Sequence, residues 1–502
     1  MIKKIFKGLN ENYYIYFIII FVFVPLNLLN QHFDGVLIDY AFTNKDIGPI
    51  VQWYIEGGRH FHLIPIYLIN FLTNFTPIPA EIFLDNILVI FLILLCIEVK
   101  KFSKILFNLE DKWNNLSALF VSIFPIWHIL VSFDIGQSII SIYFLFFGYR
   151  NFIEKKKFKV LIGIIFIILS FNIESNLSFI IGLSAIHVIL QNKSKDLFFK
   201  LILLIAITIF YYILRSSFFP PSGLYEGYNT IHLGLLNNIA WIKLSKNVLN
   251  YLTFLIIYLW IPLLFFSHIF FKNREEFILK LKKFNIKYLH NYFYLIILAI
   301  FATFPYIISN KSSSIFFLSD YYQRHAVLLA PISGFLFSIM FKDMNNFLKF
   351  FPKTNFYPYI IIFILINLTF LNYGNYSKIE SNLFKINLVN ELKKIEAPHK
   401  GNIKFVGSDI PADLRFFEIN HLLYRAYKDT GWYGITFGPW DISSVKTYGK
   451  KYEKIFIYKD YSPGCNTKIF LKNYLSKKDR IKKFYIFNSK NYYQIDKIEK
   501  KC

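Results

Sequence analysis

LFFKLILLIAITIFYYIL, residues 197–214, carries a single charged side chain, Lys200, in an otherwise apolar run. A bilayer core about 30 Å thick takes roughly 20 apolar residues of helix, so this stretch predicts a membrane crossing. Working outward, similar runs fall near 13–29, 80–99, 115–131, 137–151, 158–173, 177–191, 247–270, 290–309, 325–341 and 356–372. The fold class expected is therefore an α-helical polytopic membrane protein of about eleven transmembrane helices. Composition agrees: of 502 residues, 55% are apolar and 18% charged, against roughly a quarter charged in soluble domains. A mean hydropathy of +0.41 excludes a disordered chain or a water-facing enzyme. The first run ends at Leu28–Asn30 without a small-x-small cleavage pattern and reads as a retained anchor rather than a secretory signal. Cys96, Cys465 and Cys502 have neither zinc-site nor CxxC spacing.

Orientation follows from the basic residues. With Lys3, Lys4 and Lys7 inside, the inside segments out to Arg150, Lys159 and Lys200 hold about 24 Lys or Arg. The short outside segments hold about seven: Lys45, Arg59, Arg215, Lys243, Lys246, Lys311 and Arg324. This placement accounts for much of the net charge of +24 without a nucleic-acid partner. It predicts a multi-pass protein of the cytoplasmic membrane with a cytoplasmic N-terminus. Residues 1–375 form the membrane domain, with a first outside loop over 30–79, and 376–502 form a small extracytoplasmic α/β domain. In that tail, 403–409 and 454–460 read as short strands, 414–427 as a helix, and the last residues as a hairpin turning at Asn488–Asn491. The tail's basic surplus suits anionic headgroups or plain solvent equally.

The first outside loop, NQHFDGVLIDYAFTNKDIGPIVQWYIEGGRHFHLIPIYLINFL, is the longest polar segment near the membrane and contains Asp34, Asp39, Asp46, Glu56, Arg59, His32, His60 and His62. Its apolar end, 61–75, is too short for a crossing, and counting it as one would invert the charge bias downstream. It reads as an interfacial or re-entrant helix. A carboxylate here has a specific chemical use: an enzyme taking a sugar from a lipid phosphate must deprotonate an acceptor hydroxyl and stabilise the departing phosphate with fixed positive charge. Asp34 and Asp39 suit the first task; Arg59, His60 and the distant Arg324 and His325 of SDYYQRHAVLL suit the second. An Arg at a helix end also snorkels to the interface without other duty, and an Asp before Gly is a common turn residue.

FDGVLID, GGRHFHLIPIYLINFL, DYYQRHAVLLAP and the tail segment DLRFFEINHLLYRAYKDT together resemble the GT-C superfamily of membrane glycosyltransferases, which includes the protein O-mannosyltransferases and lipid A aminoarabinose transferases. The resemblance implies a polytopic helical fold with an outward-opening site, a polyprenyl-phosphate sugar donor and inversion at the anomeric carbon. It carries the role of base to Asp34. The family's adjacent acidic pair is not present: Gly35 follows Asp34 and the next acid is Asp39, so either carboxylate remains open as the base. Some members use a divalent metal, for which His32, Asp34 and Asp39 supply ligand types; no other cofactor is implied.

Further polar outliers are Asp134 in FDIGQS and Glu174 in NIESN, acids at the same expected membrane face that either line the cavity or cap helices. Glu81 and Asp85 lie one turn apart at the start of the second run, and 215–234 is an aromatic, Gly- and Pro-rich loop suited to a lid or to an ordinary connection. The function expected is transfer of a sugar from a polyprenyl-phosphate carrier to a glycan, lipid or protein acceptor on the outer face. The alternatives are a flippase of lipid-linked saccharide, or an inactive scaffold of a glycan-assembly complex.

Overall fold

In the computed structural model the described residues are 46–76, 80–131, 136–173, 175–191, 194–222, 238–272, 274–275, 289–309, 313–317, 321–349, 351, 355, 357–398, 402–406, 416–428, 433–435, 466–473 and 493–501, with Ile19, Val22, Phe23 and Phe42. The chain forms two compact units. Met1–Leu29, Leu84–Phe218 and Asn229–Asn375 make the first, and Asn30–Phe83, Phe219–Tyr228 and Tyr376–Cys502 the second.

Helix dominates. In chain order the helices among the described residues, up to Leu392, are α1 Gly48–Glu56, α2 Leu63–Phe75, α3 Ala80–Phe107, α4 Asp111–Ser122, α5 Ser138–Phe152, α6 Lys157–Ser170, α7 Ser175–Leu190, α8 Lys195–Phe218, α9 Asn238–Ile256, α10 Trp260–Lys272, α11 Leu289–Ile308, α12 Leu329–Leu348 and α13 Tyr357–Leu392. Among the described residues, Lys195–Phe218, His290–Ile308 and Tyr357–Tyr376 are each long and apolar enough to cross a membrane. A fourth crossing results if Trp241–Ile256 and Trp260–Lys272, bent by 49° at a short break, are one span. The expected run 13–29 lies almost wholly outside the described residues.

The expected span 115–131 is not one helix. α4 ends at Ser122 and a 3-10 stretch, Pro125–Val131, follows. Pro125 supplies no backbone N–H and ends the α-helical ladder. The 12 residues of α4 rise only about 18 Å, well short of a bilayer core.

The helices of the first unit turn apolar side chains outward. α6 exposes Phe158, Leu161 and Ile165; α10 exposes Leu263 and Phe271; α11 exposes Phe293, Ile296, Ile300 and Phe304. On α8, Phe199, Phe210 and Phe218 are 69%, 63% and 70% exposed. A helix in water shows the opposite pattern, so the outward rows fit a hydrocarbon surround.

Inside, polar pairs and glycines join the helices, as expected where helices cannot gain from hiding oil in oil. The Ser117 hydroxyl donates to Ser338 Oγ at 3.0 Å, Ser103 to Asn114 Oδ1 at 2.6 Å, and Tyr258 to Asn367 Oδ1 at 2.8 Å. α5 and α6 cross at Gly148 and Gly163: a Cβ on Gly148 would lie 2.8 Å from the Ile167 nitrogen, and one on Gly163 would fall on the Phe152 amide. Gly334 meets Ser117 in the same way, and Gly374 meets the His128 ring.

A buried ion pair ties α3 to α5. Arg150 Nε donates to Glu98 Oε2 at 2.5 Å and its Nη2 to Oε1 at 3.2 Å, while Lys101 Nζ reaches Oε1 at 2.9 Å. The Glu98 side chain is 4% exposed. Removing one member of a buried pair strands the other, which costs about 3–5 kcal/mol. Glu98→Ala is therefore expected to lose roughly that much stability in a detergent melting series, whereas Lys101→Ala, at an exposed lysine, loses under about 1 kcal/mol.

In the second unit, strands β1 Asn402–Val406, β2 Tyr433–Ile435, β3 Asn466–Asn473 and β4 Tyr493–Lys501 form a sheet of order β2-β1-β3-β4, with helix α14 Phe416–Tyr427 between β1 and β2. β1 runs parallel to β2 and β3, and β4 is antiparallel to β3. Ile403 and Phe405 on β1 and Ile469 and Leu471 on β3 alternate onto one face, where they bury against Leu388 and Leu392 of α13 and Ile419 and Leu422 of α14. The Tyr427 hydroxyl donates to the Leu392 carbonyl at 2.9 Å, satisfying one of the last carbonyls of α13. Burial pushes that phenol up to about 12.

Of the expected strand 403–409, residues 403–406 lie in β1, and of the expected helix 414–427, residues 416–427 are α14; 407–409 and 414–415 lie outside the described residues. The expected strand 454–460 and the turn Asn488–Asn491 lie outside the described residues. The described partner of β4 is β3, which pairs the last strand with a more distant segment than a tight terminal hairpin would.

Candidate functional site

Arg324 and His325 sit on a 3-10 turn, Tyr321–Ala326, that leads into α12. His325 is buried and its ring lies 4.2 Å from that of Tyr306, tilted by 40°. Tyr306 is held from both sides of the chain. It follows Pro305, which lies inside α11 and cannot donate to the carbonyl four residues earlier. That carbonyl, of Phe301, instead accepts the Ser178 hydroxyl at 2.7 Å. One turn away the Ser175 hydroxyl and the Tyr306 hydroxyl share a 3.0 Å hydrogen bond. A Cβ on Gly182 would lie 2.7 Å from the Phe301 ring. Ser175, Ser178 and Gly182 thus form a small-residue row on α7 that seats α11 closely, and this docking fixes Tyr306 beneath His325.

The turn before α7 is equally constrained. The Asn176 amide nitrogen of the backbone donates to the Ile173 carbonyl at 3.0 Å, and its side-chain Nδ2 donates to the Ser170 carbonyl at 2.7 Å. The 3-10 stretch Pro125–Val131, which packs against the turn Tyr321–Ala326, is anchored by the Trp127 indole on the Val121 carbonyl and by a His128 Nδ1 contact of 2.8 Å to the Pro125 carbonyl. Segment 313–317 is tied to α9, where Thr253 Oγ1 lies 3.1 Å from Ser314 Oγ and accepts the Ile315 amide at 3.2 Å.

The second unit holds the other Arg-His pair. The Asp46 carboxylate accepts the Gly48 amide at 3.0 Å and starts α1. Gly57 and Gly58 end it, Gly58 with φ 64, a conformation costly for any residue with a Cβ. The chain reverses there, with the Arg59 amide donating to the Tyr54 carbonyl at 2.8 Å, and enters the 3-10 turn His60–His62 and then α2. His62 is buried edge-on to Tyr54, ring centroids 5.6 Å apart, and His60 meets Phe219 at 4.8 Å. The Ser222 amide donates to the Glu56 carbonyl at 2.8 Å. Gln52 Nε2 donates to Glu56 Oε1 at 3.0 Å, and the buried Oε2 has no hydrogen-bond partner among the described residues.

α2 occupies the expected interfacial stretch. Pro65, Ile66 and Ile69 are buried, while Ile64, Tyr67, Leu68, Phe71 and Phe75 form an exposed apolar row.

Each Arg-His dipeptide therefore precedes an apolar helix through a 3-10 turn, with a proline, Pro65 or Pro331, early in the helix that follows. A helix N-terminus carries partial positive charge and unpaired amides. An arginine placed beside it adds a forked donor, and the combination suits a phosphate group.

Asp34, Asp39, His32, Asp134 and Glu174 lie outside the described residues. Arg59 and His60 are neighbours in the second unit, and Arg324 and His325 in the first. α3 carries Glu81 and Asp85 at its start. Of the loop 215–234 the described part ends at Ser222. Among the described residues no three His, Cys, Asp or Glu side chains gather to hold a metal ion. Sequence reasoning assigned no role to Glu56, Tyr306, Asn172 or Asn176. Glu56 carried a signal, a lone acid immediately before GGRH; the neutral amides did not. The chain matches no protein-family profile, no curated protein and no solved structure.

Proposed function

We propose that this chain is a polytopic membrane glycosyltransferase that moves a sugar from a polyprenyl-phosphate carrier to an acceptor on the outer face of the cytoplasmic membrane. In this reading about eleven helices cross the bilayer, the N-terminus is cytoplasmic and residues 376–502 form an extracytoplasmic α/β domain. The observation that supports it best is the repeated placement of an Arg-His pair at a 3-10 turn ahead of an apolar helix, with Arg59 at the start of the first turn and Arg324 within the second.

The chemistry runs as a single displacement. Asp34 or Asp39 takes the proton of the acceptor hydroxyl, whose oxygen attacks the anomeric carbon. The bond from that carbon to the phosphate oxygen breaks, its electron pair leaves with the phosphate, and configuration inverts. Arg324 with His325, or Arg59 with His60, neutralises the charge gathering on the phosphate. α2, with its exposed apolar row, rests at the headgroup level and keeps the first loop against the lipid carrier.

Membranes containing the wild type, Asp34→Asn or Asp39→Asn are given a radiolabelled polyprenyl-phosphate sugar and extracted lipid acceptors. Replacing the true base lowers transfer by about 100-fold or more at equal protein level. Undiminished transfer in both variants, and in the double variant, removes the proposed chemistry.

One observation favours a second reading. The break between α9 and α10, closed by the buried Tyr258–Asn367 hydrogen bond, has the form of the interrupted helices that line transport sites. A flippase would carry labelled lipid-linked saccharide to the outer leaflet of proteoliposomes without forming a new glycosidic bond.

A further inference from the structure

We infer that Asn172 and Asn176, in the turn clamped to Tyr306, form the subsite for the hydroxyls of the sugar on the lipid phosphate. The inference rests on the glycosyl-transfer reading and deepens it by assigning the recognition of the sugar to neutral amides.

Asn172 is 6% exposed and Asn176 fully buried. Asn176 spends its Nδ2 on the Ser170 carbonyl at 2.7 Å, which leaves Oδ1 without a partner among the described residues. For Asn172, neither Nδ2 nor Oδ1 has one. Three buried amide atoms within one turn that have no partner among the described residues are costly to the fold, because native interiors pair almost all such groups. Sites that bind a polar ligand are where this cost is met by function.

The kind of ligand follows from the chemistry of the groups. A carboxamide offers a donor and an acceptor and no charge. A sugar hydroxyl also gives and accepts one hydrogen bond, so it satisfies both amide atoms at once. A phosphate offers acceptors alone and leaves both Oδ1 atoms unmet, and a polyprenyl tail offers nothing. The surroundings agree. Ser175, between the two asparagines in this turn, is bonded to the Tyr306 hydroxyl at 3.0 Å, and the Tyr306 ring lies 4.2 Å from His325, the neighbour of Arg324. Hydroxyl-binding amides, an aromatic face and the Arg324–His325 pair assigned to the phosphate are therefore joined through consecutive contacts in one unit.

The test uses the full-length protein in lipid nanodiscs and three probes: polyprenyl-phosphoryl glucose, polyprenyl-phosphoryl mannose and bare polyprenyl phosphate. The wild type is expected to prefer a sugar-bearing probe over the bare phosphate by at least about tenfold, as sites built around a ligand hydroxyl do. Asn172→Leu is expected to erase that preference, leave affinity for the bare phosphate unchanged, and hold or raise the melting temperature, since an unpaired buried amide is replaced by an apolar group. Asn172→Ala serves the same purpose if leucine is not accommodated. A sugar preference that survives in both variants, a melting temperature that falls while the preference stays, or a wild type that binds phosphate lipids without regard to the sugar overturns the subsite. A wild type that binds none of the three probes overturns the glycosyl-transfer reading itself.

Discussion

Gly163→Leu is expected to abolish accumulation of the folded membrane bundle, and Gly163→Ala to lose about 3 kcal/mol or more of stability, the upper range for overpacking a filled interior. The reason is the crossing of α5 and α6. A Cβ on Gly163 would fall on the Phe152 amide, 2.7 Å from Phe152 Cα and 2.8 Å from the Gly148 carbonyl oxygen. These are backbone atoms of a helix, which cannot rotate aside as the tip of a side chain can. Room for even one methyl group requires α5 and α6 to separate, and separation opens the interior that their contact seals. Detergent-solubilised protein followed by size-exclusion fluorescence and thermal melting reads the effect. Ile165→Leu, on the outward side of α6 at 49% exposed, is the matched control and is expected to melt like the wild type. A Gly163→Leu protein that melts normally would show that the two helices do not cross there.

On the glycosyl-transfer reading proposed above, the second large effect is catalytic. Arg324→Met keeps the length and apolar stem of the side chain and removes its charge and its forked donors. Loss of a group that stabilises developing negative charge lowers turnover by about 100- to 1,000-fold, and Arg324→Met is expected to lower transfer by that factor in kcat/KM. Arg324→Lys, which keeps charge but not the planar fork, is expected to fall between the two. His325→Phe, which preserves a ring against Tyr306, separates loss of the imidazole from loss of packing. If Arg324→Met transfers sugar at the wild-type rate while its melting curve is unchanged, the arginine serves only to reach the interface, and the phosphate must be held by other groups.

Some of this was legible from residue order. The run 197–214 becomes part of α8 because nothing in it interrupts a helix, and its single charge, Lys200, finds carbonyl partners at Ile153 and Glu154. The stretch 61–75 holds a helix, Leu63–Phe75, too short to span, as its length requires. Other features were hidden because hydropathy sums composition and does not see backbone continuity. The run 115–131 is apolar in its second half apart from His128, yet contains Pro125, which stops the helix that ends at Ser122. The run 247–270 reads as one crossing, but the chain bends by 49° just beyond Ile256, held by Tyr258 reaching for Asn367 more than a hundred positions later. No local pattern announces such a contact. Gly148 and Gly163 are ordinary glycines until their helices are docked. Of the residues proposed for the site, Arg324 and His325 stand out in the sequence as basic side chains, whereas Asn172 and Asn176 are neutral and flank the more conspicuous Glu174.

The proline in α11 has a mechanical consequence. Because the Phe301 carbonyl finds its partner on α7 through Ser178, sliding α11 by one residue along α7 would leave an acceptor bare among apolar side chains and drive the Phe301 ring against the spot that Gly182 keeps clear. The two helices are consequently pinned like a dowel in a joint, and any piston or rocking stroke the protein makes must carry them together as a single rigid strut.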